Sequence, residues 1–131
     1  MRAKKYWLAT ALLSVLLVPA TALASAVSVG EAAIGTGVEE RVLVGQGFQF
    51  DSSVGKLYAF TRIIGAPSET QVSHLWYYGD QLMAEVSLPV RGANWRTWSA
   101  KSVMPDWVGN WRVDVVGEDG EVLDSMNFSI Q

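Results

Sequence analysis

Residues able to do chemistry are few in this chain and fall in two places. His74 is the only histidine and there is no cysteine. One imidazole and scattered carboxylates supply no ligand set for zinc or a heavier metal. The acidic turn Gly117-Glu118-Asp119-Gly120 lacks the alternating carboxylates of a calcium loop. His74 has two readings, a general base or ligand contact beside Glu85, or a cross-strand His–Glu pair of purely structural value. The second place is Trp95 to Lys101, which packs two indoles, a guanidinium, two hydroxyls and an ammonium into seven residues. Ser99 and Lys101 are two apart, so on a strand they share a face and could form a Ser–Lys dyad. No oxyanion-hole loop or paired acid and base accompanies them, which argues against an enzyme. Gly35-Thr36-Gly37 and Gly45-Gln46-Gly47 lack the third glycine or the Gly-Lys-Ser/Thr ending of a phosphate loop. Asn127-Phe128-Ser129 matches a glycosylation acceptor but falls inside an expected strand.

The elements that must carry these residues read as strands. Short runs rich in β-branched and aromatic residues alternate with Gly, Pro and Asp, and no window keeps a helical period. Strands are expected near 38–44, 57–64, 71–78, 81–88, 94–103, 109–116 and 121–130. About seven antiparallel strands at this spacing predict an all-β, immunoglobulin-like β-sandwich.

One hairpin can be read in register. Gly79-Asp80 makes a two-residue turn of the primed type between Tyr78 and Gln81. Strict pairing then sets Trp76 opposite Met83 and His74 opposite Glu85. Leu82, Ala84, Val86 and Leu88 form the core face, which leaves His74, Trp76 and Tyr78 pointing outward. At the end of the chain, Trp111, Val113 and Val115 face the core with Met126, Phe128 and Ile130, and the pairing demands a bulge near Leu123. On the strand through Trp95–Lys101, one of the two indoles must leave the core unless a neighbouring loop covers it. Arg96 lying across an indole is the structural alternative to a binding face.

The start of the chain has the pattern of an export signal. Arg2, Lys4 and Lys5 precede an apolar run from Tyr6 to Val18, Pro19 breaks it, and Ala22-Leu23-Ala24 supplies a small-x-small cleavage pattern. Residues 1–24 are expected to be removed after Ala24, with Ala26 as the second site. The competing reading, a retained anchor, suffers from interruption by Pro19, Thr21 and Ser25. Residues 25–37 read as a tether or loose first strand, and 38–131 as a single domain. A mature chain from Ser25 to Gln131 is long enough for one core and too short for two. Three of the 10 basic residues and none of the 13 acids lie in the leader, leaving a net charge of −6. Such a chain is poorly suited to nucleic acid or anionic membrane. Yet residues 91–112 hold Arg91, Arg96, Lys101 and Arg112 against Asp106 alone.

The order of several short pieces resembles a known family. They are Glu40-Arg41, Val44-Gly45, Phe50, Val54-Gly55-Lys56-Leu57-Tyr58-Ala59-Phe60-Thr61, His74-Leu75-Trp76-Tyr77, Trp95-Arg96-Thr97-Trp98-Ser99-Ala100-Lys101, Gly109-Asn110-Trp111-Arg112-Val113, Gly120-Glu121-Val122-Leu123 and Phe128. Together they resemble the bacterial domain of unknown function 2914 over nearly all of 38–131. The resemblance implies a compact extracytoplasmic domain, mostly of Gram-negative bacteria, with no established activity. It also directs attention to a cysteine near Ile34–Gly37, where this chain has none.

These readings point to an exported, periplasmic or secreted module without cofactor that binds an envelope protein. A carbohydrate-binding module is the alternative, and a small hydrolase using Ser99, Lys101 or His74 the third reading. No stable membrane span is expected after cleavage. If the domain binds a ligand, His74, Trp76, Arg96 and Lys101 are the expected contacts. The logic is that indoles supply area at low entropic cost and basic groups supply orientation.

Overall fold

A computed structural model describes residues 26–131, and the leader and its cleavage pattern through Ala24 lie outside the described residues. The described chain is all-β, with seven strands of eight to ten residues and three short ones. They are β1 (Ser28–Gly35), β2 (Gly37–Glu39), β3 (Val42–Val44), β4 (Gln49–Phe50), β5 (Lys56–Ile64), β6 (Thr70–Tyr78), β7 (Gln81–Val90), β8 (Asn94–Ser102), β9 (Gly109–Gly117) and β10 (Val122–Ile130). A sheet ordered β1-β5-β8 faces one ordered β4-β10-β9-β6-β7, and β2-β3 is a separate hairpin. The pairing is antiparallel throughout the long strands, and only the short β4 runs parallel to β10.

The core lies between the two sheets. Leu57, Ala59 and Ile63 of β5 meet Val72 and Trp76 of β6, Trp111, Val113 and Val115 of β9, and Met126, Phe128 and Ile130 of β10, all buried. Phe128 is the aromatic hub: it stacks on Trp111 at 6.1 Å and meets Trp76 and Phe50 edge-on at 6.3 and 6.0 Å. The last hairpin carries its bulge between Val122 and Asp124, at the expected Leu123.

Three features depart from the sequence reading. Residues 28–35, within the stretch read as a tether or loose first strand, form the full-length edge strand β1. The single strand expected at 38–44 is instead the tight hairpin β2-β3, turned at Glu40 and Arg41 with φ of 50° and 63°. Both residues take the left-handed conformation that a two-residue type I′ turn requires and that side chains with a Cβ disfavour.

The third departure inverts a face. The turn at Gly79 (φ 56°) pairs Tyr78 with Gln81 and Tyr77 with Leu82 as expected, but a bulge at Met83 then sets Trp76 opposite Ala84 and His74 opposite Val86. One extra residue reverses the parity of β7 relative to β6. His74 and Trp76 therefore share the core face with Ala84 and Val86, both are 0% exposed, and Leu82 is left 47% exposed. Neither side chain points outward, and Glu85 lies opposite Leu75 rather than His74.

Candidate functional site

The sequence-derived residues separate into three places. His74 and Trp76, one pleat apart on β6, project into the gap between the sheets. Ser99 of β8 reaches them from the other sheet: His74 Nδ1 is 2.7 Å from Ser99 Oγ, and Trp76 Nε1 donates to the same oxygen at 3.0 Å. Thr61 of β5 lies 3.1 Å from His74 Nε2 and donates its proton to the Thr97 carbonyl at 3.1 Å. A threonine hydroxyl has one proton. With that proton committed to Thr97, Thr61 Oγ1 accepts from His74, which fixes the neutral imidazole as the Nε2–H tautomer. Nδ1 then accepts the Ser99 proton, and Ser99 accepts from Trp76. No buried side-chain nitrogen or oxygen among the described residues lacks a partner.

The electrostatics agree with a neutral ring. Burial lowers the His74 pKa from 6.5 to about 4, because no charged group replaces the water that an imidazolium would lose. Ser99 and His74 stand at a distance suited to a nucleophile and its base, but they are 4% and 0% exposed. The Ser99 oxygen cannot meet a substrate in this conformation. This centre is a polar rivet between two sheets.

Lys101 lies at the far end of β8, with Nζ 5.1 Å from the Trp107 ring centroid and bonded to the Ser102 carbonyl at 3.1 Å. Arg96 belongs to a third group. The β2-β3 hairpin folds over the outer face of the three-stranded sheet, close enough that a Cβ on Gly35 would collide with the Val44 carbonyl and Leu43. It covers Phe60, which is 2% exposed and stacks on Trp98 at 6.0 Å. A neighbouring segment thus covers the outward indole of Trp95–Lys101. The cation over the indoles is Arg41, not Arg96: its guanidinium carbon is 5.9 Å from Trp95 and 5.7 Å from Trp98. Arg41 and Arg96 donate to each other's backbone carbonyls at 3.5 and 3.4 Å. Sequence reasoning missed Arg41. Its one signal was Glu40-Arg41 within the family-like pieces, and nothing local tied it to Trp95 and Trp98, more than fifty residues on.

Beside this pair runs the free edge of β8, which pairs with β5 alone among the described residues. The bonds Gly65 N to Ala93 O and Val103 N to Gly55 O set the phase of that ladder. Antiparallel pairs alternate between bonded and non-bonded, so Trp95, Thr97, Ser99 and Lys101 bond to β5. The backbone groups of Asn94, Arg96, Trp98, Ala100 and Ser102 point away from it. A groove along this edge is lined by Arg41, Pro89, Trp95, Arg96, Thr97 and Trp98. No group of three or more His, Asp or Glu that could hold a metal occurs among the described residues. No described helix is long and apolar enough to cross a membrane.

Residues 69–130, which span β6 to β10, match the family model described as Protein of unknown function (DUF2914). No curated protein matches the chain.

Proposed function

We propose that this chain is an exported, non-enzymatic module that binds another protein by accepting an extended segment along the free edge of β8. The observation that carries the reading is the state of that edge. β8 is nine residues long and pairs with β5 without a register shift, and five of its residues direct backbone groups outward. Exposed edges of this kind template a further strand unless they are blunted. The edge of the other sheet on that side, β7, is blunted by the Met83 bulge and by Pro89.

The disposition of the tryptophans supports a protein partner over a glycan. Stacking on a sugar ring needs an open indole face. Trp76 and Trp111 are core residues, while Trp95, Trp98 and Trp107 are half-buried with a cation over each ring. The burial of Ser99 and His74 supports a binding role over a hydrolytic one, and the export pattern of residues 1–24 supports a partner in the envelope.

The test is a pull-down from an envelope fraction with the wild-type chain and with Ala100→Pro. Ala100 is exposed and its N–H points away from β5, so proline there removes an outward donor and leaves the β5–β8 ladder intact. Capture of a protein by wild type and its loss in Ala100→Pro, with a similar melting temperature, supports strand addition. Equal capture by both overturns it.

A further inference from the structure

We infer that Arg41 and Arg96 form a carboxylate clamp beside the β8 edge, so that the segment this edge receives is acidic. This rests on the edge reading above and adds the chemistry of its partner. Three observations converge on it.

The two side chains cross, each guanidinium at the other residue's backbone, and both are exposed. Among the described residues neither lies within ion-pair distance of a carboxylate, since Glu31, which lines a hollow with both, pairs with Arg62. The ion pairs of the described residues are Arg62–Glu31, Arg91–Glu69 and Arg112–Asp114. Glu39 and Glu40 precede Arg41 in its turn, yet neither comes within ion-pair distance of it. Two exposed cations without a paired anion favour an acidic partner, and a carboxylate can accept from two donors at once.

Their present bonds are weak and exchangeable. Both are long contacts to neutral carbonyls, at 3.5 and 3.4 Å, near the limit of useful hydrogen bonding. One of those acceptors is the outward carbonyl of Arg96, a group that an added strand would claim for itself. A carboxylate on the incoming segment replaces that carbonyl as the acceptor for Arg41, so strand pairing and charge pairing proceed together.

Arg41 is also held in place at a cost. The turn that presents it has two consecutive non-glycine residues with positive φ, a conformation that side chains with a Cβ disfavour. Such outliers concentrate at ligand clamps and similar sites. The turn seats the guanidinium over Trp95 and Trp98, facing the groove that runs along β8.

The experiment titrates the full chain, labelled with nitrogen-15, with two short blocked peptides. One alternates threonine with glutamate and the other threonine with glutamine. We expect the glutamate peptide to shift the amide signals of Arg96, Trp98 and Ala100 and the Nε–H signals of Arg41 and Arg96. The glutamine peptide binds the same edge roughly tenfold more weakly, the loss of one charge-assisted contact. Raised salt narrows the difference. Arg96→Ala, a change at an exposed side chain, brings the glutamate peptide down to the glutamine value. Equal affinity for both peptides at β8 overturns the clamp and leaves the edge reading standing. Shifts at the two guanidinia without shifts of the β8 amides support the clamp and overturn strand addition. Binding of neither peptide overturns both.

Discussion

His74 Nδ1 accepts the Ser99 hydroxyl proton at 2.7 Å across the gap between the two sheets, and the direction of that bond follows from a threonine on the opposite side of the ring. Because Thr61 gives its proton to Thr97, it accepts from His74 Nε2. Nitrogen-15 spectra of the imidazole at neutral pH should therefore show the Nε2–H tautomer as the main form. A dominant Nδ1–H form would mean that Thr61 donates to the ring and that the whole proton order is reversed.

Removing the shared oxygen tests how much the centre contributes to stability. Ser99→Ala leaves His74 Nδ1 without its donor and Trp76 Nε1 without its acceptor in a buried site. Each unsatisfied buried group costs about 1–3 kcal/mol. Urea unfolding should place Ser99→Ala below wild type by an amount in that range or its double, with the slope unchanged. A change within about 0.5 kcal/mol, the usual range for surface substitutions, would show that water or a repacked side chain replaces the hydroxyl.

The depressed His74 pKa makes stability depend on pH. In the unfolded chain the imidazole takes up a proton near its ordinary 6.5, while in the folded chain it does so near 4. Between these values the unfolded state binds more protons, so stability rises with pH in that window. The contribution is complete above about pH 6.5, falls progressively as pH is lowered through the window, and levels off below about pH 4. The gap corresponds to about 3 kcal/mol at most. Asp51, held below 3.8 by the Ser53 hydroxyl and amide, adds its own loss only at lower pH. Chemical unfolding of wild type and His74→Gln at pH 7 and pH 5 should show wild type losing stability and the variant losing much less. A parallel loss in both would assign the dependence to carboxylates instead.

What the sequence revealed and what it concealed follow from how far each signal reaches. Alternation over nine residues was enough to place Trp111, Val113 and Val115 in the core. A local mismatch at Asp124 was enough to require the bulge at Leu123. The bulge at Met83 left no such mismatch, because Leu82, Ala84, Val86 and Leu88 make an unbroken apolar face. Strict alternation then assigned that whole face to the core and sent His74 and Trp76 outward. An apolar residue at the bulge itself hid the shift. The β2-β3 turn was concealed differently: Glu40-Arg41 has neither the glycine nor the asparagine that announces a type I′ turn. The polar centre joins Thr61, His74 and Ser99 from three strands, and the arginine pair joins Arg41 to Arg96. Contacts of that span depend on how the strands are ordered in the sheets, which local periodicity does not encode.

The β2-β3 turn offers a way to separate stability from binding. Replacing Glu40-Arg41 by Asn-Gly supplies the residues that a type I′ turn favours and removes the positive-φ strain, a gain of about 1–2 kcal/mol for each relieved residue. It also removes the Arg41 contacts with Trp95 and Trp98, each worth about 0.5–1 kcal/mol at an exposed site. The balance favours an unchanged or higher melting temperature, while affinity for the glutamate peptide drops to that of the glutamine peptide. Glu40→Asn alone eases one strained position and keeps the guanidinium, so it should gain stability and retain the preference for glutamate. The two variants, compared by thermal melting and by titration with both peptides, distinguish a turn strained in order to present Arg41 from one strained for packing. If Asn-Gly lowers the melting temperature by several degrees, the cover that Arg41 gives the two indoles outweighs the strain, and Arg41 belongs to the fold rather than to the clamp.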